Sequence, residues 1–210
     1  HAFRAPTFDE ILASDPRSEL DPETVDTYEV SLGADFTSSF RGRATFFHNE
    51  IEDILLFNIT PPTYTNQGKG EYQGFEVEAK YDFGKGTYIS GYYTYLTKRS
   101  QAESPKLSAN LMANVRLSRY LNFNADCIHL DSLNRNEPGD PRDDPSSLTL
   151  VNATLIAKKV LKGYDGLELR GSVYNLFDKD WSKPMAEELH VPNDWPIPGI
   201  NYLLEVKYRF

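Results

Sequence analysis

Apolar and polar residues alternate along most of this chain with a period of two, and helical spacing is scarce. Leu107, Ala109, Leu111, Ala113, Val115 and Leu117 are separated by Ser108, Asn110, Met112, Asn114 and Arg116. Tyr28, Val30, Leu32, Ala34 and Phe36 repeat the pattern, as do Phe75, Val77, Ala79 and Tyr81. Leu167, Leu169, Gly171 and Val173 follow it, and so do Tyr202, Leu204, Val206, Tyr208 and Phe210. Successive side chains of an extended chain point to opposite faces, so the pattern predicts strands with one apolar and one polar face. Weaker strands fill 43–55, 87–96, 121–130 and 148–160. The fold class is all-β, with about nine antiparallel strands of roughly ten residues each. Ordinary globular strands are nearer five or six residues. A tilted strand crossing a bilayer needs about 9–11. Periodicity alone leaves two settings open, with either a protein core or lipid on the apolar side.

The connections narrow this. Short links at 37–41, 84–86, 118–120 and 161–166 alternate with long ones at 57–66, 97–104, 131–147 and 179–200. Tight turns on one side and long loops on the other are the pattern of an outer-membrane barrel. Proline gathers in the long links, at Pro61, Pro62, Pro138, Pro141, Pro145, Pro184, Pro192, Pro196 and Pro198. Because proline cannot donate to a ladder, these segments are expected to be loops rather than missed strands. The last strand ends on the short-turn side. Single-chain bacterial barrels have even strand numbers, so nine strands preceded by His-Ala-Phe-Arg suggest that these four residues finish an earlier strand. The expectation is a C-terminal portion, residues 1–210, of a larger barrel domain.

Composition sharpens the picture. The chain has 210 residues and a formal net charge of −9, with 22 Lys+Arg against 31 Asp+Glu. An acidic chain repels phosphates, which argues against a nucleic-acid partner. The 13 Tyr and 12 Phe argue against disorder. The single Cys127 excludes an internal disulfide framework and a multi-cysteine metal site. No Ser/His/Asp or Cys/His triad suggests itself, so no enzyme is expected, and no cofactor is implied.

Specific residues then show a resemblance. Phe3-Arg4-Ala5-Pro6 is similar to the FRAP motif of TonB-dependent outer-membrane receptors. Leu20-Asp21-Pro22-Glu23, followed by Tyr28-Glu29 and Gly33, resembles that family's L-x-P-E…E-x-G pattern. Asn66-Gln67-Gly68 and Gly74-Phe75-Glu76 resemble its N-x-G…G-x-E pattern. Val173-Tyr174-Asn175-Leu176-Phe177-Asp178-Lys179 is close to its V-x-N-L-F-D-K box. Tyr208-Arg209-Phe210 matches its aromatic C-terminus. The resemblance implies a 22-stranded barrel with an N-terminal plug that lies outside this chain. It implies uptake of a scarce extracellular ligand such as an iron–siderophore, haem or cobalamin, driven by the TonB complex acting on the plug. It also implies a bacterial outer-membrane location, with membrane lipid and the barrel assembly machinery as partners. Haem receptors of this family often carry a histidine after FRAP, and no His lies between residues 7 and 28.

Candidate site residues lie mainly in two long loops. The 131–147 loop holds Asp140, Asp143 and Asp144 with Arg135 and Arg142. Clustered carboxylates can hold Ca²⁺, but this spacing fits no EF-hand loop, and a solvated acidic loop is the plainer reading. The 179–200 loop holds Trp181, His190 and Trp195, which either pack on neighbouring loops or touch ligand. Arg142, His190 and Trp195 are the ligand-binding candidates. Val206, Tyr208 and Phe210 are the candidate assembly signal. His48 and His129, near strand ends, read as interfacial or lumen residues, and no histidine pair has zinc-ligand spacing. Two other settings remain at this point: a barrel serving adhesion or assembly without transport, and a soluble antiparallel β domain binding a ligand or partner.

Overall fold

The computed structural model describes residues 1–14, 19–59, 61–100, 104–135, 142–159, 161–184 and 194–209. Ten strands form one antiparallel meander. They are β1 (Ala2–Arg4), β2 (Glu23–Asp35), β3 (Phe40–Glu52), β6 (Gly70–Gly84), β7 (Thr87–Arg99), β8 (Leu107–Arg116), β9 (Leu121–Leu130), β10 (Leu148–Lys158), β11 (Leu167–Tyr174) and β14 (Asn201–Tyr208). Two small hairpins stand apart from this sheet: β4 (Leu55–Ile59) with β5 (Pro62–Asn66), and β12 (Ser182–Lys183) with β13 (Trp195–Pro196). A five-residue helix, α1 (Phe8–Leu12), lies between β1 and β2.

The nine strands expected from periodicity are all in the meander, and Ala2–Arg4 supplies the tenth by pairing with Glu23–Val25. The expected strand 43–55 is a correction: β3 stops at Glu52, where Asp53 takes a φ of 57° and turns the chain. The long links were also expected to hold no strands, and two of them do. Pro62 opens β5 and Pro196 closes β13. Both prolines sit at the end of a two-stranded hairpin, where a missing N–H costs the ladder little.

The short turns have local causes. Lys85 and Gly86 carry φ of 54° and 81° between β6 and β7, the left-handed pair that a two-residue hairpin turn requires. In the β8–β9 turn, Ser118 Oγ accepts from the Tyr120 and Leu121 N–H groups at 3.1 and 3.0 Å.

Register places the two faces unambiguously. One row runs Leu32, Ala44, Val77, Tyr93, Ala109 across five strands. Another runs Val115, Phe123, Leu155, Gly171, Leu204. The opposite face carries Asp35, Arg41, Lys80, Ser90, Met112, Asp126 and Asn152 in one row. A concavity of about 980 Å³ is lined by Asp35, Arg41, Arg43, Glu78, Lys80 and Tyr88, among others, so the polar face is the hollow side of the sheet. The apolar face is the outer, convex side, where Val30, Leu32, Leu204 and Val206 are 72%, 79%, 85% and 73% exposed.

This arrangement inverts a soluble protein. Among the described residues no large side chain is fully buried. The chain exposes 14,552 Å², whereas a compact monomer of its mass exposes roughly 9,900 Å². A single sheet with a polar hollow and an apolar outside is a wall, and its core lies at neither face.

Candidate functional site: the long-loop end

Every long connection of the meander reaches the same end of the sheet, because sequential antiparallel strands return alternately to opposite ends. Two clusters organise that end.

The first joins motifs far apart in sequence. Arg4 Nε donates to Glu23 Oε2 at 2.6 Å, and its Nη1 donates to both Glu10 oxygens at 3.1 Å. The other Glu23 oxygen accepts from the Leu55 N–H at 2.8 Å. Asn66 Nδ2 donates to the carbonyls of Asp21 and Asp53 at 2.9 and 2.7 Å, while its Oδ1 accepts from the Asp21 N–H at 2.8 Å. The Phe-Arg-Ala-Pro, Leu-Asp-Pro-Glu and Asn-Gln-Gly segments are therefore one hydrogen-bonded knot that fixes how three strands leave the sheet. Thr7 caps α1, and Glu10 completes a capping box by accepting from the Thr7 N–H at 2.6 Å. That backbone bond first, then the Thr7 hydroxyl and Arg4, holds the Glu10 carboxyl below the usual carboxylate range.

The second cluster joins the 131–147 and 175–200 connections. Asn175 is buried and takes a φ of 51°. Its Nδ2 donates to the carbonyls of Lys179 and Pro198 at 3.0 and 3.1 Å, and its Oδ1 accepts from the Lys179 N–H at 2.7 Å. Its own N–H donates to Asn152 Oδ1 on β10 at 2.9 Å. Asp178 Oδ1 accepts from the Ile200 N–H at 2.8 Å, which starts β14 in register. Beyond this lock, Trp181 packs with Leu133 and Leu148 in a small core, and its Nε1 donates to the Ser146 carbonyl at 2.7 Å. Arg135 reaches across to Asp194 with Nη1 at 2.9 Å, and Arg142 Nη1 donates to the same carboxylate at 3.3 Å.

Of the candidate ligand-binding residues, Arg142 and Trp195 come together: Arg142 bonds Asp194, and Trp195 is the next residue, 61% exposed, on β13. His190 lies outside the described residues, as do Asp140 and Phe210. The two tryptophans of this loop divide between the two uses expected of them: Trp181 packs, and Trp195 is open. Asp144, through its carboxylate, and Asp143, through its backbone carbonyl, hold Arg135 within the same loop. Asp144 Oδ1 accepts from the Arg135 N–H at 2.8 Å, and the Asp143 carbonyl accepts from Arg135 Nε at 3.0 Å. Among the described residues no group of three or more His, Cys, Asp or Glu stands ready to hold a metal ion. Asp194 was not singled out from the sequence, and its pairing with Arg135, 59 residues away, leaves no local signal. Val206 and Tyr208 lie on the convex face of β14. His48 lies in the outer row between Tyr28 and Gln73, with its Nε2 3.0 Å from Glu50. His129 lies on the same outer face and shares a 2.8 Å hydrogen bond with Thr149.

The family of TonB dependent receptor-like β-barrels matches this chain over residues 1–176. The chain belongs to that family. Solved structures of similar shape include the ferric-catecholate import receptor Fiu from E. coli K12. That match has a TM-score of 0.71 and 18% identity, covering 94% of this chain and 29% of that one. The copper transporter OprC gives 0.76 and 16%, covering 100% and 36%. The ferripyoverdine receptor of the outer membrane of Pseudomonas aeruginosa gives 0.73 and 15%, covering 91% and 28%. The chain thus spans between 28% and 36% of the length of these three structures. At such identities the likeness is one of fold: this is a stretch of wall shared by TonB-dependent receptor barrels. Three of the segments that mark the family here, Phe-Arg-Ala-Pro, Leu-Asp-Pro-Glu and Asn-Gln-Gly, together with Asn175 and Asp178, fasten the long-loop end.

Proposed function

We propose that this chain is part of the barrel wall of a bacterial outer-membrane receptor that takes up an extracellular iron–siderophore in a TonB-dependent manner. The observation that carries the membrane part is the inversion of faces: apolar rows outside, a charged hollow inside, and all long connections at one end. Lipid covers the convex rows, since nothing else removes so much apolar surface from water. The long-loop end faces the outside medium, where the ligand arrives. A plug outside this chain fills the hollow and couples it to the TonB complex. The outward side chains of β14, Val206 and Tyr208, together with Phe210, are read by the barrel assembly machinery. The siderophore class is supported by relatives described as ferric-catecholate and ferripyoverdine receptors.

The test is uptake by the full-length parent protein in a strain stripped of its other siderophore receptors, supplied with radiolabelled iron on catecholate and hydroxamate carriers. Iron accumulation that disappears when TonB is deleted supports the reading. Accumulation equal to that of the empty strain for every carrier overturns it. Arg142 and Trp195, held on adjoining loops, are the proposed ligand contacts. Replacing both with alanine is expected to weaken carrier binding about tenfold or more, with the amount of folded barrel unchanged. Unaltered affinity would place the ligand contacts elsewhere in the receptor.

A further inference from the structure

The short-turn end is uneven around the wall. Between β2 and β3 the turn is Phe36-Thr37-Ser38-Ser39, and between β6 and β7 the only cation is Lys85. The two turns on the other flank carry Arg119, Lys159 and Lys162 against the single carboxylate Asp165. All three cations are exposed, and among the described residues none of them makes an ion pair. Arg119 instead lies over the Tyr120 ring, 4.5 Å from its centroid.

These turns are neighbours. The Lys158 N–H donates to the Tyr120 carbonyl at 2.8 Å, which ties the β8–β9 turn to the end of β10. Tyr164 meets Tyr208 edge-on at 6.4 Å, which extends the patch to β14. Leu117 and Leu161 project from the same turns, 56% and 55% exposed, and Tyr120, Tyr164 and Tyr208 are 40%, 56% and 43% exposed. Along β14 the convex face passes from Leu204 and Val206 to Tyr208, which meets Tyr164 in the turn that carries Lys159 and Lys162. That is the order of a membrane interface, with apolar stems in hydrocarbon, rings at the headgroups and charges at the phosphates.

We propose that this flank of the short-turn rim, built from Arg119, Lys159 and Lys162 with Tyr120, Tyr164 and Tyr208, binds the phosphate of an anionic glycerophospholipid headgroup. The proposal rests on the outer-membrane reading and goes beyond it, since it assigns a lipid preference to one flank only. Leu117 and Leu161 hold the acyl chains, and the three cations supply the charge that a zwitterionic headgroup does not need. Each basic residue near an anionic surface contributes about fivefold in affinity.

The test uses the full-length receptor in nanodiscs of phosphatidylcholine doped with phosphatidylglycerol, followed by native mass spectrometry of retained lipid. Wild type is expected to retain phosphatidylglycerol over phosphatidylcholine. The combined Arg119→Gln, Lys159→Gln, Lys162→Gln variant should lose that preference by about tenfold or more. Lys85→Gln, in the β6–β7 turn beside the patch, should keep it. The charge-conserving Lys159→Arg, Lys162→Arg variant should also keep it, which guards against a folding artefact. Equal retention of the two lipids by wild type overturns the proposal, and so does a glutamine variant that binds like wild type. A receptor that does not enter bilayers overturns the outer-membrane reading as well, so the two failures are distinguishable.

Discussion

Asn175 holds a left-handed backbone and closes three hydrogen bonds with one amide, in a site where it is 4% exposed. Few residues do both, because asparagine tolerates positive φ and carries a donor and an acceptor on a short stem. An Asn175→Ala variant should lose roughly 3–5 kcal/mol, since it leaves buried backbone groups unpaired and strains the φ angle. Asn175→Gly relieves the strain but not the lost bonds, and should fall between wild type and alanine. Urea titration of the full-length barrel in lipid reads this, and equal stability of all three proteins would refute the role. Gly74 is constrained differently: a Cβ there would stand 2.3 Å from the Tyr95 carbonyl and 3.0 Å from the Phe47 ring. Such residues were visible in the sequence as motif letters, but their reasons were not. Arg4, Glu23 and Asn66 look like separate short patterns until the fold brings them into one knot. Arg142 and Trp195 were legible as a charge and a ring on long loops. Their meeting through Asp194 was not, because no period connects residues on separate loops.

Strands were the most readable element, since a two-residue period survives any loop length. Leu111 shows what the period implies. It lies on the convex face between Gly91 and Cys127 and is 52% exposed, while Asn110 lies on the inner face between Tyr92 and Ile128. Leu111→Arg should therefore destabilise a barrel folded into lipid by about 2–4 kcal/mol if it sits at mid-bilayer. Asn110→Arg should be near neutral. Equal effects in the same refolding assay would mean that the convex face does not meet lipid. The small hairpins β4–β5 and β12–β13 were missed because their strands are too short for a period to register and carry proline at their ends. Helix α1 was missed for the same reason of length. Its stability should respond to acid through Glu10. A carboxyl held below its usual range stabilises the folded loop fully above the ordinary carboxylate pKa and loses that contribution as pH falls through the lowered value. Hydrogen-exchange protection at the Ile11 and Ala13 amides, corrected for intrinsic rates, should thus persist through about pH 4.3 and fall only below it. Glu10→Gln should abolish that acid step, and an unchanged step in the variant would show that another group causes it.

For the whole molecule, the surface area decides more than any single contact. An excess of several thousand Å² over a compact monomer cannot be left in water, because apolar surface costs about 25 cal/mol per Å². Much of the excess lies on the convex rows, and further surface lies along the two ends of the sheet. Among the described residues β1 pairs only with β2 and β14 only with β11, so each presents a row of unpaired backbone groups. Such edges pair with other chains in water, and in lipid they cannot persist at all. Curvature alone does not close ten strands onto themselves here, since β1 and β14 are not neighbours. The 210-residue chain expressed by itself should accordingly aggregate in plain buffer. It should disperse only in detergent or lipid, and there it should form mixtures of associated sheets rather than one closed species. Sedimentation with and without detergent measures this directly. A monodisperse monomer in plain buffer would require some cover for Leu32, Leu204 and Val206 that this chain supplies, and would shift the reading from a membrane wall to a soluble β domain.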